Sequence, residues 1–216
     1  MVNKMAFETL NPAEIEKRSF AMITEELGER TFPPALAPII KRVIHTTADF
    51  EYADHLVFSE NAVEQAHAAL TNGATIITDT NMALAGINKS ALERLGCKAV
   101  CFMSDTAVAQ EAKARGITRA TVSMEKAAAW NGPLIFAIGN APTALIRLHE
   151  LIADGVLQPA LVIGVPVGFV NVVESKELFL GGATPYIIAW GRKGGSNVAA
   201  CIVNALLYQL IHREGF

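Results

Sequence analysis

The stretch Gly191-Arg192-Lys193-Gly194-Gly195-Ser196 has the make-up of an anion-binding loop. It follows an apolar run and precedes a helical one. Ser196 can therefore cap a helix whose positive end attracts negative charge. Glycine-exposed amides and two cations add donors. Neither GxxxxGK[ST] nor GxGxxG is present, so a carboxylate-bearing ligand suits the loop as well as a phosphate. The alternative is a turn with solvated charges. Gly139-Asn140-Ala141-Pro142-Thr143 repeats the arrangement without cations. There Asn140 or Thr143 can cap, and Pro142 suits a first helical turn. Between Gly164 and Gly168, Pro166 cannot continue a central strand, which leaves a turn or a close backbone approach to a ligand.

Asp79 and Asp105 each follow an apolar run directly, as a functional carboxylate or a helix cap would. His45 lies three residues after Arg42 on a helical stretch, so both can share one flank. A neighbouring guanidinium favours a neutral imidazole, which suits proton transfer near neutral pH. A helix-end or surface histidine is the competing reading. Ser19 interrupts an apolar helical face between Ile15 and Ile23, either bonded back to the helix carbonyls or facing a ligand. His55, His67, His149 and His212 do not group with anything. No HExxH or Cys/His cluster is present, so no protein-bound metal is expected. Without GxSxG, Ser-His-Asp hydrolysis lacks support.

These residues need elements to position them. The first 70 residues read as helical. Asn11 caps a helix with Pro12 and Glu14 in its first turn; Ile15, Ser19, Met22 and Ile23 share a face, and Gly28 ends it. A second helix starts near Pro34 and carries Leu36, Ile39, Ile40, Val43 and Thr47 on one stripe. A third runs from Ser59 to Leu70. From Ala74, short apolar runs alternate with helical stretches. Strands are expected at Thr75–Thr78, Ala99–Met103, Ala120–Val122, Leu134–Ile138, Leu161–Val165 and Tyr186–Trp190. Helices are expected near Lys89–Leu95, Thr106–Arg115, Glu125–Trp130, Thr143–Ala153, Val170–Leu178 and Asn197–Leu210. This pattern predicts an α/β fold: a mostly parallel, doubly wound sheet flanked by helices, with an N-terminal helical segment. One domain is expected over residues 1–216, with 1–73 packed on the sheet of 74–216. Ligands of such sheets gather at the carboxyl ends of the strands, where the loops above stand.

Composition narrows the partners. A chain of 216 residues that is 51% hydrophobic and 18% charged is not disordered. A net charge of −3 argues against nucleic acid. Three cysteines without a CxxC suit a reduced, cytoplasmic chain. Mean hydropathy is +0.32, yet no stretch approaches ~18 uninterrupted apolar residues, so no membrane span is expected. Val198 to Ile211 is the longest candidate, and it carries Asn204 and Gln209. Met1 to Leu10 lacks the regions of a signal peptide. The apolar excess is left to buried strands and an oligomer interface.

Taken together and in order, Glu16-Lys17-Arg18-Ser19-Phe20, Arg42-Val43-Ile44-His45, Gly139 to Leu145, Gly164 to Val170 with Glu174-Ser175-Lys176, and Gly191 to Ser196 resemble the precorrin-8X methylmutase family. The resemblance runs from about Asn11 to Leu207. It implies a cobalamin-pathway isomerase that moves a methyl group from C-11 to C-12 of precorrin-8X or cobalt-precorrin-8, giving hydrogenobyrinate or cobyrinate. It implies a homodimer with the site near the subunit interface, no cofactor and no protein-bound metal. It assigns His45 as the catalytic acid/base and Ser19 and Arg42 as substrate-binding residues. To these the loop reading adds Asn140, Gly194, Gly195 and Ser196 as donors for ring carboxylates. Two alternatives stay open. A SAM-dependent methyltransferase would need a glycine loop after its first strand, where this chain has Asp79-Thr80-Asn81. A non-catalytic tetrapyrrole carrier would use His45 only as a ring contact.

Overall fold

The computed structural model describes residues 11–212. The strands are β1 (Leu56–Phe58), β2 (Thr75–Thr78), β3 (Lys98–Cys101), β4 (Leu134–Ile138), β5 (Leu161–Gly164) and β6 (Tyr186–Ala189). They form one six-stranded sheet in the order β1-β6-β5-β4-β2-β3. All pairings are parallel except β1 with β6. The helices are α1 (Pro12–Leu27), α2 (Ala37–Thr47), α3 (Tyr52–His55), α4 (Ala62–Thr71), α5 (Asn81–Gly86), α6 (Lys89–Arg94), α7 (Thr106–Arg115), α8 (Arg119–Ala128), α9 (Pro142–Ala153), α10 (Val172–Glu177) and α11 (Ser196–Ile211).

Successive strand residues point to opposite faces, and each face has its own core. Ile76, Ile135, Ile163 and Ile187 join α1, α2, α4 and α11 on one side. Ile77, Phe136, Val162 and Ile188 join α7, α8 and α9 on the other. Burial on both faces is why these strands are continuously apolar. The long apolar run near the C-terminus is α11, a core helix buried at ten of its positions from Val198 to Tyr208. Among the described residues no helix is long and apolar enough to cross a membrane.

Four expectations are corrected. Ala120–Val122 is not a strand but part of α8, whose start is capped by Thr118 Oγ1 accepting from Thr121 N–H at 3.1 Å. A three-residue apolar run cannot tell strand from helix, and the spacing of Ala120, Met124 and Ala127 is helical. Conversely, Leu56–Phe58 inside the segment read as helical is a strand, with Val57 opposite Ile188. Helix α10 is shorter than expected and starts after Asn171, whose φ is 57°. Among the described side chains of α1 only Ile23 and Leu27 are buried, whereas Ile15 and Met22 are 52% and 56% exposed.

The sheet reverses direction between β2 and β4. From β2 the chain steps outward to β3; from β4 it steps the other way to β5 and β6. At this point Asp79, 1% exposed, accepts N–H bonds from Gly139 (2.9 Å), Asn140 (2.8 Å) and Ala141 (2.6 Å). Asp79 therefore caps a turn 60 residues away rather than the helix that follows it. That helix, α5, is capped by Thr80 Oγ1, which accepts from Ala83 N–H at 3.0 Å. Burial pushes the Asp79 carboxyl upward, while the N–H donors favour its charged form. A second buried charge is Lys176 on α10, whose Nζ donates to the carbonyls of Gly191 (2.7 Å) and Lys193 (2.8 Å). Burial pushes its pKa down to about 8.

Asp79→Asn should destabilise the protein by about 2–4 kcal/mol in urea titrations, because an amide nitrogen would face donors that a carboxylate oxygen now satisfies. Lys176 makes a signed pH prediction. The unfolded chain holds this proton more tightly than the folded one, so its penalty is full below about pH 8 and fades as pH rises toward the ordinary lysine value. Wild type should gain up to about 3 kcal/mol relative to Lys176→Met between pH 7.5 and 10.5. Parallel stability curves for the two proteins over that range would contradict this.

Candidate active site

The loops at the carboxyl ends of β2, β4, β5 and β6 meet beside the start of α11. The hydroxyls of Thr80 and Ser196 are hydrogen-bonded at 2.8 Å. Gly139 lies directly against this point, since a Cβ there would stand 2.6 Å from Ser196 Cα. Gly194 has φ 156°, and a Cβ on it would fall 2.0 Å from the Val165 carbonyl oxygen. Gly195 N–H donates to that same carbonyl at 2.9 Å. The glycines expected to admit a ligand thus admit the chain's own backbone.

The charged groups are also redistributed. Lys193 was expected to offer its charge to an anion, but its Nζ is 2.5 Å from Asp49 and 2.8 Å from Glu51. The Lys193 ammonium holds the Asp49 carboxyl below its ordinary value. Arg192 is exposed, with its guanidinium 5.3 Å from the centre of the Phe169 ring. The amides of Gly139, Asn140 and Ala141 are engaged by Asp79, so the second loop offers only the exposed side chain of Asn140. Donor capacity is therefore concentrated in Gly191–Ser196. Gly195 gives the sixteen-residue α11 no side-chain cap, and the first-turn N–H groups of a helix lack helical partners. Asp105 belongs elsewhere: it caps α7 through Ala107 N–H at 2.8 Å and pairs with Lys126.

A second group of residues is built from α1 and α2. The imidazole of His45 is exposed and stacks on Phe20, with ring centres 5.2 Å apart and 14° between planes. Arg42 is nearly buried and pairs with Glu16 at 2.6 Å. Its guanidinium lies 4.9 Å from the Phe20 ring centre and 5.2 Å from that of Tyr208. Arg42 and His45 do share one flank, and Phe20 is what they share. The Ser19 hydroxyl donates to the Ile15 carbonyl at 2.8 Å, the helix-bonded arrangement.

The two groups adjoin because α2 packs antiparallel on α11. Thr46 Oγ1 donates to Cys201 Sγ at 3.1 Å, while Arg42 reaches Tyr208 at the far end. Cys201 is five residues into α11, about 7.5 Å along the axis from Ser196. The Asp49–Lys193 pair ties the segment after α2 to the glycine loop. His45 thus lies on the stretch of α2 that runs toward the glycine loop, next to Thr46 and four residues before Asp49, whereas Arg42 lies toward the other end of α11.

Sequence reasoning missed Glu16, Phe20, Tyr208 and Lys176 as members of this arrangement. Phe20 adjoins Ser19 and could have been found by placing both on one helix over α2. Lys176 stands in one of the motifs that carry the family resemblance, but nothing in Glu174-Ser175-Lys176 assigns it a role or a partner. Among the described residues no group of His, Cys, Asp and Glu could hold a metal ion.

Comparison with known proteins agrees with this architecture. Residues 14–209 match the family model described as precorrin-8X methylmutase. A cobalt-precorrin-8 methylmutase of Salmonella typhimurium is 47% identical over 207 residues, covering 92% of this chain and 96% of the relative. That of Priestia megaterium is 44% identical over 198 residues, covering 92% and 88%. A crystal structure of precorrin-8X methylmutase from Thermus thermophilus superposes with a TM-score of 0.83 at 37% identity, covering 92% of this chain and 98% of that one. A match that spans both the sheet with its switch-point loops and the α1–α2 layer carrying His45 leaves one assignment: this chain belongs to the precorrin-8X methylmutase family.

Proposed function

We propose that the chain converts precorrin-8X or cobalt-precorrin-8 into hydrogenobyrinate or cobyrinate, with His45 as the acid/base. A methylmutase moves a methyl group within one molecule, so no group acceptor is consumed. The protein's task is to select a tautomer of the macrocycle in which the methyl group can migrate. Positioning alone cannot choose between tautomers. A histidine that gives a proton to the ring system, or takes one from it, can.

The observation that carries this reading is the exposed His45 ring, braced by Phe20 on a helix whose next residue, Thr46, bonds α11 at Cys201. An apolar macrocycle fringed with acetates and propionates needs a proton-transfer group on one side and carboxylate donors around it. Gly194, Ser196 and Asn140 are the proposed donors next to the loop, with Gly195 a proposed backbone contact only, because its N–H is held by the Val165 carbonyl. Arg42 and Ser19 are the proposed donors next to His45. For Arg42 to meet a ring carboxylate, that carboxylate must share or replace Glu16. Ser19 must release the Ile15 carbonyl or use its hydroxyl oxygen as an acceptor.

The reading includes a homodimer of single-domain subunits, with the site near the subunit interface. The exposed Ile15 and Met22 on α1, the helix that carries Ser19 and Phe20, supply apolar surface for it. It includes a cytoplasmic setting, which the three free cysteines suit.

The deciding experiment incubates the purified protein with precorrin-8X or its cobalt form, without SAM, and follows the visible spectrum. Turnover supports the reading. Binding without spectral conversion would make the protein a carrier, and a requirement for SAM would make it a methyltransferase. His45→Ala should lower turnover by at least ~10²-fold while the fold is retained. Arg42→Ala should weaken product binding by an amount of order 1.5–3 kcal/mol if Arg42 meets a carboxylate. A shifted pH–rate profile with unchanged product affinity would instead make it a tuner of His45. Sedimentation should give a species near twice 23.1 kDa, and a monomer at micromolar concentration would overturn the dimer.

A further inference from the structure

Lys176 touches none of the proposed ligand contacts, yet it is fully buried and has no carboxylate against its ammonium among the described residues. A buried charge without a counter-ion is costly, and a hydrophobic side chain of similar length would remove that cost. The ammonium instead donates to two carbonyls of the glycine loop, Gly191 at 2.7 Å and Lys193 at 2.8 Å.

Peptide geometry gives these two bonds a consequence. In a planar trans peptide the C=O and the following N–H point in opposite directions. The carbonyls of Gly191 and Lys193 belong to the peptide units that carry the N–H groups of Arg192 and Gly194. Drawing those carbonyls toward Lys176 turns these two N–H groups away from it. Neither has an acceptor among the described residues, whereas the next amide, Gly195 N–H, is engaged by Val165. The other side of the loop is held too, by Gly168 N–H donating to the Arg192 carbonyl at 3.2 Å.

We propose that Lys176 is a positioning residue for substrate recognition: by gripping the Gly191 and Lys193 carbonyls it presents the Arg192 and Gly194 amides to ligand carboxylates. This rests on the reading above, in which the glycine loop binds the carboxylates of the macrocycle. The amides do not titrate and lose no side-chain entropy on binding. The buried ammonium adds positive potential behind them, and Lys193, neutralised by Asp49 and Glu51, does not compete for the ligand. An amphipathic helix would carry a lysine on its solvated face. Burial of this one is accounted for by the loop it holds.

The test compares wild type, Lys176→Met and Lys176→Gln as full-length proteins titrated with hydrogenobyrinate. Lys176→Met should weaken binding about tenfold or more, the equivalent of one charge-assisted contact. It should raise KM and leave kcat at saturation within about threefold, because His45 is untouched. Trypsin should cleave it faster after Arg192 and Lys193, while its thermal midpoint near neutral pH does not fall below that of wild type, because the cost of the buried charge is gone. Lys176→Gln keeps a donor but no charge and should fall between the two. A well-folded Lys176→Met that binds product like wild type overturns the proposal. So do affinity and thermal midpoint that fall together in both variants, with kcat and KM affected alike, because that is the mark of a structural role. Wild type that fails to bind the corrinoid would instead overturn the functional reading on which the proposal stands.

Discussion

Asp79 takes three backbone N–H bonds from the turn after β4, across the point where the sheet changes direction. That turn would otherwise bring three donors into a site with little access to water. The carboxylate satisfies them and locks β2 and β4 together at their carboxyl ends. Once they are locked, Gly139 can lie against Ser196 and Thr80 can share a hydrogen bond with it. The start of α11 is placed by these contacts, and α11 places the rest. A parallel sheet commonly opens a crevice at such a switch point. Here the crevice floor is closed by the chain's own backbone, and binding capacity moves outward to the glycine loop.

The N-terminal part of the chain is integral to this arrangement. Its β1 pairs with β6, and its α2 packs along α11 in the opposite sense. That packing carries His45 toward the carboxyl edge of the sheet, where the loops are. Phe20 then does two things. It stacks on the imidazole, and it receives the guanidinium of Arg42, whose charge is balanced by Glu16. An exposed histidine on a helix end has many rotamers available. A stacked aromatic ring restricts them, which suits the proton-transfer role proposed for His45.

The cations of the site are sorted by position. Lys193 is held by Asp49 and Glu51, Arg42 by Glu16, and Arg192 stands in solvent over Phe169. Lys176 is buried and, among the described residues, bonded only to carbonyls. In the proposed reading, recognition of a polycarboxylate then falls largely to backbone amides and Arg192. Amides favour a fixed geometry, whereas flexible lysines attract any anion.

The sequence alone was enough for the alternation of apolar strands and helices. A strand covered on both faces has to be apolar throughout, and a helix start has to satisfy its own amides. Asn11 caps α1 as its spacing suggested, with Glu14 completing a capping box, and Asp105 caps α7 as one of its two readings held. The order of the motifs, including His45 after Arg42 and the late glycine loop, sufficed to place the chain in its family. Other features were decided only by tertiary structure. Nothing near Asp79 names a partner 60 residues away. Ala120–Val122 and Leu56–Phe58 are too short for periodicity to separate strand from helix, so packing on α7 and α9 decided the first and pairing with β6 the second. Phe20 against His45, and Lys176 against the glycine loop, depend on which elements the topology sets side by side. Propensity and capping act over a few residues of chain. Hydrogen-bond satisfaction of buried groups acts through space, and only the folded arrangement says which groups are within reach.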